Sequence, residues 1–175
     1  DLSNHAESIR AFFNDHTRNP IDKLIFLIDL SIQMFSGAHE FMSQFQTLHR
    51  DLSPPNFLIG DKGYIYVSDY GLFGTDNELV GSPSILTPSK LDYYLNPQTG
   101  LPDGPVLREL TKASDYESVI YSLVNILTNL SWYKIVFPDI QAKKIADILT
   151  ELQVHCIPAL QSTPADHISS TILAS

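Results

Sequence analysis

The chain has 175 residues, of which 43% are hydrophobic and 10% aromatic, and 11 Lys and Arg against 20 Asp and Glu give a formal net charge of −9. This composition excludes a disordered chain, because disordered chains are poor in aromatic and aliphatic residues. The length predicts one domain. The acidic balance argues against nucleic-acid binding, which needs clustered basic residues.

The chain contains a single cysteine, Cys156, which excludes an intrachain disulfide and favours a reducing, intracellular location, cytoplasmic or nuclear. No apolar run in the sequence approaches the roughly 18–20 residues that cross a bilayer. The sequence also carries no pattern typical of a secretory signal peptide. We therefore expect no membrane span.

The first part of the chain predicts two helices. A weakly amphipathic stretch at 8–17 predicts a short helix. Asn19 and Pro20 then form a helix start signal, with Asp22 in the first turn, and the apolar spacing predicts a long helix that ends near Phe45. Apolar residues cover much of its circumference, which predicts a central helix with neighbours on more than one side.

Two short β-type runs follow, at 57–59 and 64–67. The Gly-Asp-Lys-Gly sequence at 60–63 between them predicts a hairpin turn. The stretch at 71–105 is rich in Gly, Pro, Ser, Asn and Asp, and it predicts a long irregular segment. Such long loops are uncommon in small domains and are usually functional or disordered.

Helical patterning returns at 112–130, with Ser114 as the expected N-cap and Glu117 three residues later as its capping-box partner. Pro138 predicts the start of another helix, and the Thr-Pro sequence at 163–164 predicts a last short one. The sequence as a whole therefore predicts a mainly α fold with one small β-hairpin.

Three oxygen-bearing side chains surround this predicted hairpin. Asp51 and Asn56 precede its first strand, and Asp69 follows its second. A carboxylate and an amide suit a hard cation such as Mg²⁺, which prefers oxygen ligands. A separate carboxylate could accept a proton from an attacking hydroxyl or orient it.

Four segments resemble the protein kinase family. The sequence HRDLSPPN at 49–56 resembles the catalytic loop H-R-D-L-x-x-x-N, and DYG at 69–71 resembles the metal-binding D-F-G triplet. The segment GSPSILTPS at 81–89 is similar to the G-T-P-x-x-x-A-P-E end of the activation segment, and SDYESVIY at 114–121 resembles the start of helix F. The sequences NFLI at 56–59 and DYESVIY at 115–121 are most similar to those of the casein kinase 1-like branch.

The resemblance implies that residues 1–175 are one domain, the C-terminal lobe of a protein kinase. The N-lobe is expected to be absent from this chain, because the chain has no Gly-rich loop and no V-A-I-K lysine. The implied divisions are helices D and E at 8–48, the catalytic loop and hairpin at 49–68, the activation segment at 69–89, an insertion at 90–113, helix F at 114–131 and abbreviated C-terminal helices at 138–174.

The resemblance also implies roles in the transfer of the γ-phosphate of ATP to a protein hydroxyl. Asp51, Asn56 and Asp69 would be catalytic, with Asp51 as the base; Asn56 and Asp69 would bind Mg²⁺ or Mn²⁺, and Leu58 and Asp69 would contact the nucleotide. The implied structural and regulatory residues are His49, Arg50, Tyr70, Gly71 and Asp115, and the candidate phosphorylation sites are Thr75 and Ser82. The implied partners are a protein substrate, ATP and an N-lobe or partner protein supplied elsewhere.

The implied structural roles are specific. Asp115 would hold the backbone of the catalytic loop, Arg50 would pair with a phosphate or an acid on the activation segment, and His49 and Tyr70 would pack in the hydrophobic column between the lobes. With no N-lobe in the chain, an exposed apolar surface is expected near Leu58 and Tyr70.

Two of the departures from the family pattern bear on activity and on the activation segment. Ser53 stands where Ser/Thr kinases usually carry a lysine that contacts the γ-phosphate, and Ser89 replaces the glutamate of A-P-E. The alternative function is a pseudokinase or truncated kinase lobe that binds proteins, through the insertion and the activation segment. A small-molecule phosphotransferase is a third hypothesis, although that class usually lacks the Arg of His-Arg-Asp. The isolated 175-residue chain is expected to be inactive.

Overall fold

The computed structural model describes residues 1–70, 82, 85, 87, 90 and 111–131. In this part of the chain, helices pack against a small antiparallel sheet, which confirms the predicted mainly α class with one β-hairpin. The main elements of the described residues are α1 (Leu2–Asn14), α2 (Pro20–Phe45), β1 (Phe57–Ile59), β2 (Ile65–Val67) and α3 (Lys112–Thr128). A short 3-10 helix at Pro54–Asn56 directly precedes β1.

Helix α1 begins earlier than predicted. The side chain of Asp1 caps it by accepting the backbone N–H of the residue three positions later at 3.0 Å. The helix ends before Asp15, whose carboxylate accepts both the backbone N–H and the hydroxyl of Thr17, at 2.9 and 2.6 Å. These turn contacts place 15–17 outside the helix, so the predicted bounds of 8–17 were wrong at both ends. The buried residues of α1 are Leu2, Ala6 and Ile9.

Helix α2 has the predicted bounds. Asn19 is the N-cap, its side-chain oxygen accepts the Ile21 backbone N–H at 2.9 Å, and Pro20 occupies the first turn. The helix ends at Phe45, and its C-cap Gln46 has the left-handed conformation often found at helix ends. Helix α2 packs against both β2 and α3, which confirms its predicted central position. Its buried residues are Leu30, Met34, Ala38, Phe41 and Met42.

The substitution Asn19→Ala is expected to lower the free energy of unfolding by about 1 kcal/mol, because it removes the acceptor for the first turn of α2. Urea denaturation would measure this loss. Asn14→Ala is the matched control, since Asn14 is also exposed but ends α1 and caps no helix start. Equal midpoints for the two variants would contradict the capping role.

The hairpin is anchored by one buried residue and one close approach. Phe57 is fully buried and pairs with Val67, while Ile59 pairs with Ile65 next to the turn. Gly37 of α2 faces this hairpin, and a Cβ built on it would lie 3.3 Å from Val67 Cγ2. That distance is tighter than most van der Waals contacts, so the absent side chain lets the helix and the strand pack closely.

Helix α3 begins at Lys112 as the sequence predicts, but its N-cap lies three residues before the expected one. Thr111 is the N-cap in an extended conformation, and Ser114 is the third helical residue, whose Oγ accepts the Thr111 backbone N–H at 2.9 Å. The prediction of Ser114 as the cap was therefore wrong, because Ser114 is the second member of the capping box rather than the first. Arg10 of α1 donates to the Ile126 carbonyl at 2.8 Å and joins the two helices.

Helices α1, α2 and α3 enclose a hydrophobic core that lies beneath the hairpin. Its fully buried members include Met34, Met42, Leu52, Phe57, Val119 and Ile126. No helix in the described residues is long and apolar enough to cross a membrane. The predicted helices beyond 131 and most of the predicted insertion lie outside the described residues.

Candidate functional site

A buried carboxylate holds the backbone turn that precedes the hairpin. Asp115 lies in the first turn of α3 and is 2% exposed. Its Oδ2 accepts the His49 backbone N–H at 2.6 Å, and its Oδ1 accepts the Arg50 backbone N–H at 3.0 Å. Hydrogen bonds to a carboxylate are stronger than neutral ones. They support a left-handed backbone at Arg50, where φ is 71°, a conformation uncommon for residues other than glycine.

The His49 ring connects this turn to the far end of the hairpin. Its Nε2 lies 2.9 Å from the Ser68 carbonyl oxygen, and its Nδ1 lies 3.3 Å from the Asp51 backbone nitrogen. A carbonyl can only accept and a backbone N–H can only donate, so the network assigns the ring proton to Nε2. One imidazole therefore fixes both the backbone of Asp51 and the residue directly before Asp69.

Asn56 and Asp51 are in direct contact. The Asn56 side-chain nitrogen donates to the Asp51 carbonyl at 2.8 Å and to its Oδ2 at 3.2 Å. Asn56 is 7% exposed. Because both bonds use the amide nitrogen, the amide oxygen of Asn56 is the atom that could ligate a cation.

Asp69 directly follows Ser68, which is hydrogen-bonded to Asn56 across the open end of the hairpin. The Asn56 carbonyl accepts the Ser68 backbone N–H at 2.8 Å and the Ser68 hydroxyl at 3.2 Å. Asp69 itself is exposed and has a left-handed φ of 62°. The open end of the hairpin thus brings Asp69 into the neighbourhood of Asn56 and Asp51.

Ser82 engages both oxygens of the Asp51 carboxylate. Its backbone N–H donates to Oδ1 at 2.8 Å, and its hydroxyl donates to Oδ2 at 3.2 Å. A serine hydroxyl therefore fits against this carboxylate at hydrogen-bond distance. Thr75 and Gly71, the other candidate residues of the same segment, lie outside the described residues.

An aromatic cluster lies beside the turn. The Tyr70 ring stacks on Phe41 with centroids 5.4 Å apart and an interplanar angle of 5°, and the His49 ring meets the same Phe41 ring edge-on at 4.9 Å. Tyr70 is 52% exposed and Leu58 is 42% exposed. These exposures agree with the apolar surface expected near the two residues.

Sequence reasoning missed Lys90. This lysine is 2% exposed, and its Nζ donates to the Arg50 carbonyl at 2.6 Å. Burial lowers the pKa of Lys90, and attraction by the negative charges of Asp115 and Asp51 opposes that change. No sequence signal marks it, because lysine is seldom fully buried and its contact spans 40 residues.

The hydroxyl of Ser53 is also buried, and it has no hydrogen-bond partner among the described residues. The described residues contain no group of three or more His, Cys, Asp and Glu side chains that could hold a metal ion. The oxygen atoms here that could bind a cation are the amide oxygen of Asn56 and the carboxylate of Asp69. These are hard oxygen ligands of the kind that Mg²⁺ takes together with phosphates and water.

Comparison with known proteins finds partial similarity to Ser/Thr protein kinases. The chain is 34% identical over 79 residues to the serine/threonine-protein kinase greatwall of Danio rerio, which covers 39% of this chain and 9% of that protein. It is 36% identical over 55 residues to the cAMP-dependent protein kinase catalytic subunit 2 of Drosophila melanogaster, which covers 29% of this chain and 16% of that protein. The chain therefore matches less than a fifth of the length of either relative.

No protein-family model matches the chain. No solved structure matches it significantly. The two partial similarities nevertheless support a relationship to the protein kinase superfamily.

Proposed function

We propose that this chain forms the C-terminal lobe of a divergent, casein kinase 1-like Ser/Thr protein kinase that transfers the γ-phosphate of ATP to a protein hydroxyl when an N-lobe is present. The observation that carries the proposal is the pair of hydrogen bonds that the Asp115 carboxylate accepts from the backbone N–H groups of His49 and Arg50, directly before Asp51. Phosphoryl transfer depends mainly on the positioning of the reacting groups and on charge stabilisation. Buried hydrogen bonds of this kind position the backbone that carries Asp51.

In this proposal Asp51 is the base that orients the attacking hydroxyl and accepts its proton. Two contacts support that role. The Ser82 hydroxyl lies 3.2 Å from Asp51 Oδ2, so a hydroxyl and this carboxylate can meet at the required distance. The Asn56 amide also donates to the same oxygen, which fixes the direction of the carboxylate.

Asn56 and Asp69 would hold Mg²⁺ or Mn²⁺, and the ion would neutralise charge on the transferred phosphate. By the resemblance to protein kinases Leu58 would lie against the nucleotide, and its exposed apolar side chain on the hairpin is compatible with that contact. Arg50 would pair with a phosphate or an acid on the activation segment, where Thr75 and Ser82 are the candidate phosphorylation sites. The use of ATP is consistent with an intracellular location, cytoplasmic or nuclear.

Asp69→Ala in the natural full-length protein is expected to abolish metal-dependent ATP binding while the unfolding temperature changes little. Asp69 is exposed, so its carboxylate is expected to matter more for a cation than for the core. Isothermal titration with ATP, with and without Mg²⁺, measures the effect. Asp61→Ala, an exposed carboxylate in the hairpin turn, is the matched control. Normal Mg²⁺-ATP binding by the Asp69 variant would disprove the metal assignment.

A protein-binding pseudokinase lobe is the second candidate function. The specific observation that favours it is the short, buried side chain of Ser53, which stands where the family usually has a lysine reaching the γ-phosphate. The two candidates differ in one readout, because a pseudokinase lobe would fold and bind its partner but would transfer no phosphate.

A further inference from the structure

Lys90 is a buried cation beside the candidate site. It is one of the largest fully buried side chains in the described part of the protein. A buried charge is costly unless it is paired or hydrogen-bonded. The group that receives the hydrogen bond from Lys90 therefore indicates what the lysine does.

That group is the peptide between Arg50 and Asp51. The Lys90 ammonium donates to the carbonyl oxygen of this peptide, that of Arg50, at 2.6 Å. The N–H of the same peptide, that of Asp51, donates to His49 Nδ1 at 3.3 Å. The peptide group is thus held at both ends. Its orientation sets the direction in which the Asp51 side chain leaves the backbone.

The preceding peptide is held by a charge of the opposite sign. Asp115 Oδ1 accepts the Arg50 backbone N–H at 3.0 Å. The two peptide groups on either side of the Arg50 Cα are therefore bound by a buried anion and a buried cation. Arg50 lies in the left-handed region, and such a conformation persists only where the surroundings over-determine it.

Lys90 is itself fixed by its own segment. Its backbone N–H donates to the hydroxyl of Thr87 at 3.3 Å, and Thr87 is fully buried. The position of the ammonium is thus tied to the chain that follows Ser82. Ser82 thus contacts the Asp51 carboxylate, and Lys90, eight residues later, contacts the backbone carbonyl directly before Asp51.

We propose that Lys90 is a positioning residue that holds the Arg50–Asp51 peptide and thereby aims the Asp51 carboxylate at its hydroxyl. This inference rests on the proposed function for its catalytic consequence. Its structural content, the restraint of that one peptide, can be measured without any phosphate transfer.

The first test is Lys90→Met in the natural full-length protein. Methionine keeps much of the apolar volume and removes the donor. We expect kcat for phosphate transfer to fall about 10- to 100-fold, because small misplacements of a reacting group have effects of this size, while KM for ATP stays unchanged. We also expect amide hydrogen exchange at Arg50 and Asp51 to become about tenfold faster, as the loss of one charge-assisted hydrogen bond predicts.

Lys62→Met is the matched control, because Lys62 is exposed in the hairpin turn. It should change neither readout. If Lys90→Met fails to unfold cooperatively, Lys90→Gln takes its place; its side chain is one bond shorter and uncharged, so both changes should appear in the same direction and be smaller.

A folded Lys90 variant with unchanged exchange at Arg50 and Asp51 overturns the inference, whatever its kcat. Faster exchange with unchanged kcat in an active enzyme overturns it as well. If the wild-type protein transfers no phosphate, the proposed function fails. The exchange measurement then decides alone whether Lys90 restrains the peptide.

Discussion

Asp51→Asn in the natural full-length protein is expected to lower the rate of phosphate transfer by about 10²–10⁴-fold, the usual contribution of a general base. The amide cannot accept the proton of the attacking hydroxyl. It also carries an NH₂ group where the carboxylate now accepts from Ser82 or from Asn56. Binding of Mg²⁺-ATP should persist, because in the proposal Asn56 and Asp69 hold the ion.

The measurement is the initial rate of label transfer from Mg²⁺-ATP to a generic acidic protein, with Asp61→Asn as the control in the exposed hairpin turn. A rate for Asp51→Asn equal to that of the wild type would remove Asp51 from the chemistry. Absence of transfer by both the wild type and the variant would instead favour the protein-binding pseudokinase lobe, and partners of the segment at 92–110 would become the next target.

Asp115→Asn is expected to lower the free energy of unfolding by about 3 kcal/mol, since hydrogen bonds to buried charged groups are worth more than neutral ones and unmatched buried donors are costly. Asp115 accepts two backbone N–H groups, one on each carboxylate oxygen. Asparagine offers one oxygen and turns an NH₂ group toward the second donor. One backbone N–H next to the candidate base would then lose its partner.

Urea denaturation at neutral pH measures this loss. Asp22→Asn is the matched control, because Asp22 is also an acid in the first helical turn but is exposed. The control isolates the helix-dipole contribution, which is about 0.3–1 kcal/mol. Equal losses for Asp22→Asn and Asp115→Asn would mean that the two backbone hydrogen bonds contribute nothing measurable.

Sequence patterns predicted the parts of the fold that depend on local signals. The Asn-Pro start of α2 and the Gly-Asp-Lys-Gly turn of the hairpin act within a few residues, and both elements form where expected. The start of α1 was misjudged, although Leu2, Ala6 and Ile9 have helical spacing, because the apolar stripe is narrow and polar residues separate its members. The N-cap of α3 was predicted at the wrong residue, because Thr111 and Ser114 are both good capping residues.

The candidate site divides in the same way. Asp51, Asn56 and Asp69 could be named from the sequence, because they flank the predicted hairpin and match the catalytic-loop and D-F-G patterns of protein kinases. Lys90 could not, because its role depends on burial and on a partner 40 residues away. The contact of Ser82 with Asp51 spans 31 residues and has the same long-range character. Local propensity carries no information about such contacts.

The close approach at Gly37 makes this glycine a spacer between helix and hairpin. An alanine there would favour the helix by about 1 kcal/mol through propensity alone, yet its Cβ would press on Val67 at 3.3 Å. Val67 pairs with Phe57, and these two residues adjoin Ser68 and Asn56. A displacement of a few tenths of an ångström at α2 would therefore shift the strand pair that leads to both proposed cation ligands. Gly37 therefore lowers the helix propensity of α2 but lets α2 pack closely against the hairpin that leads to the candidate cation ligands.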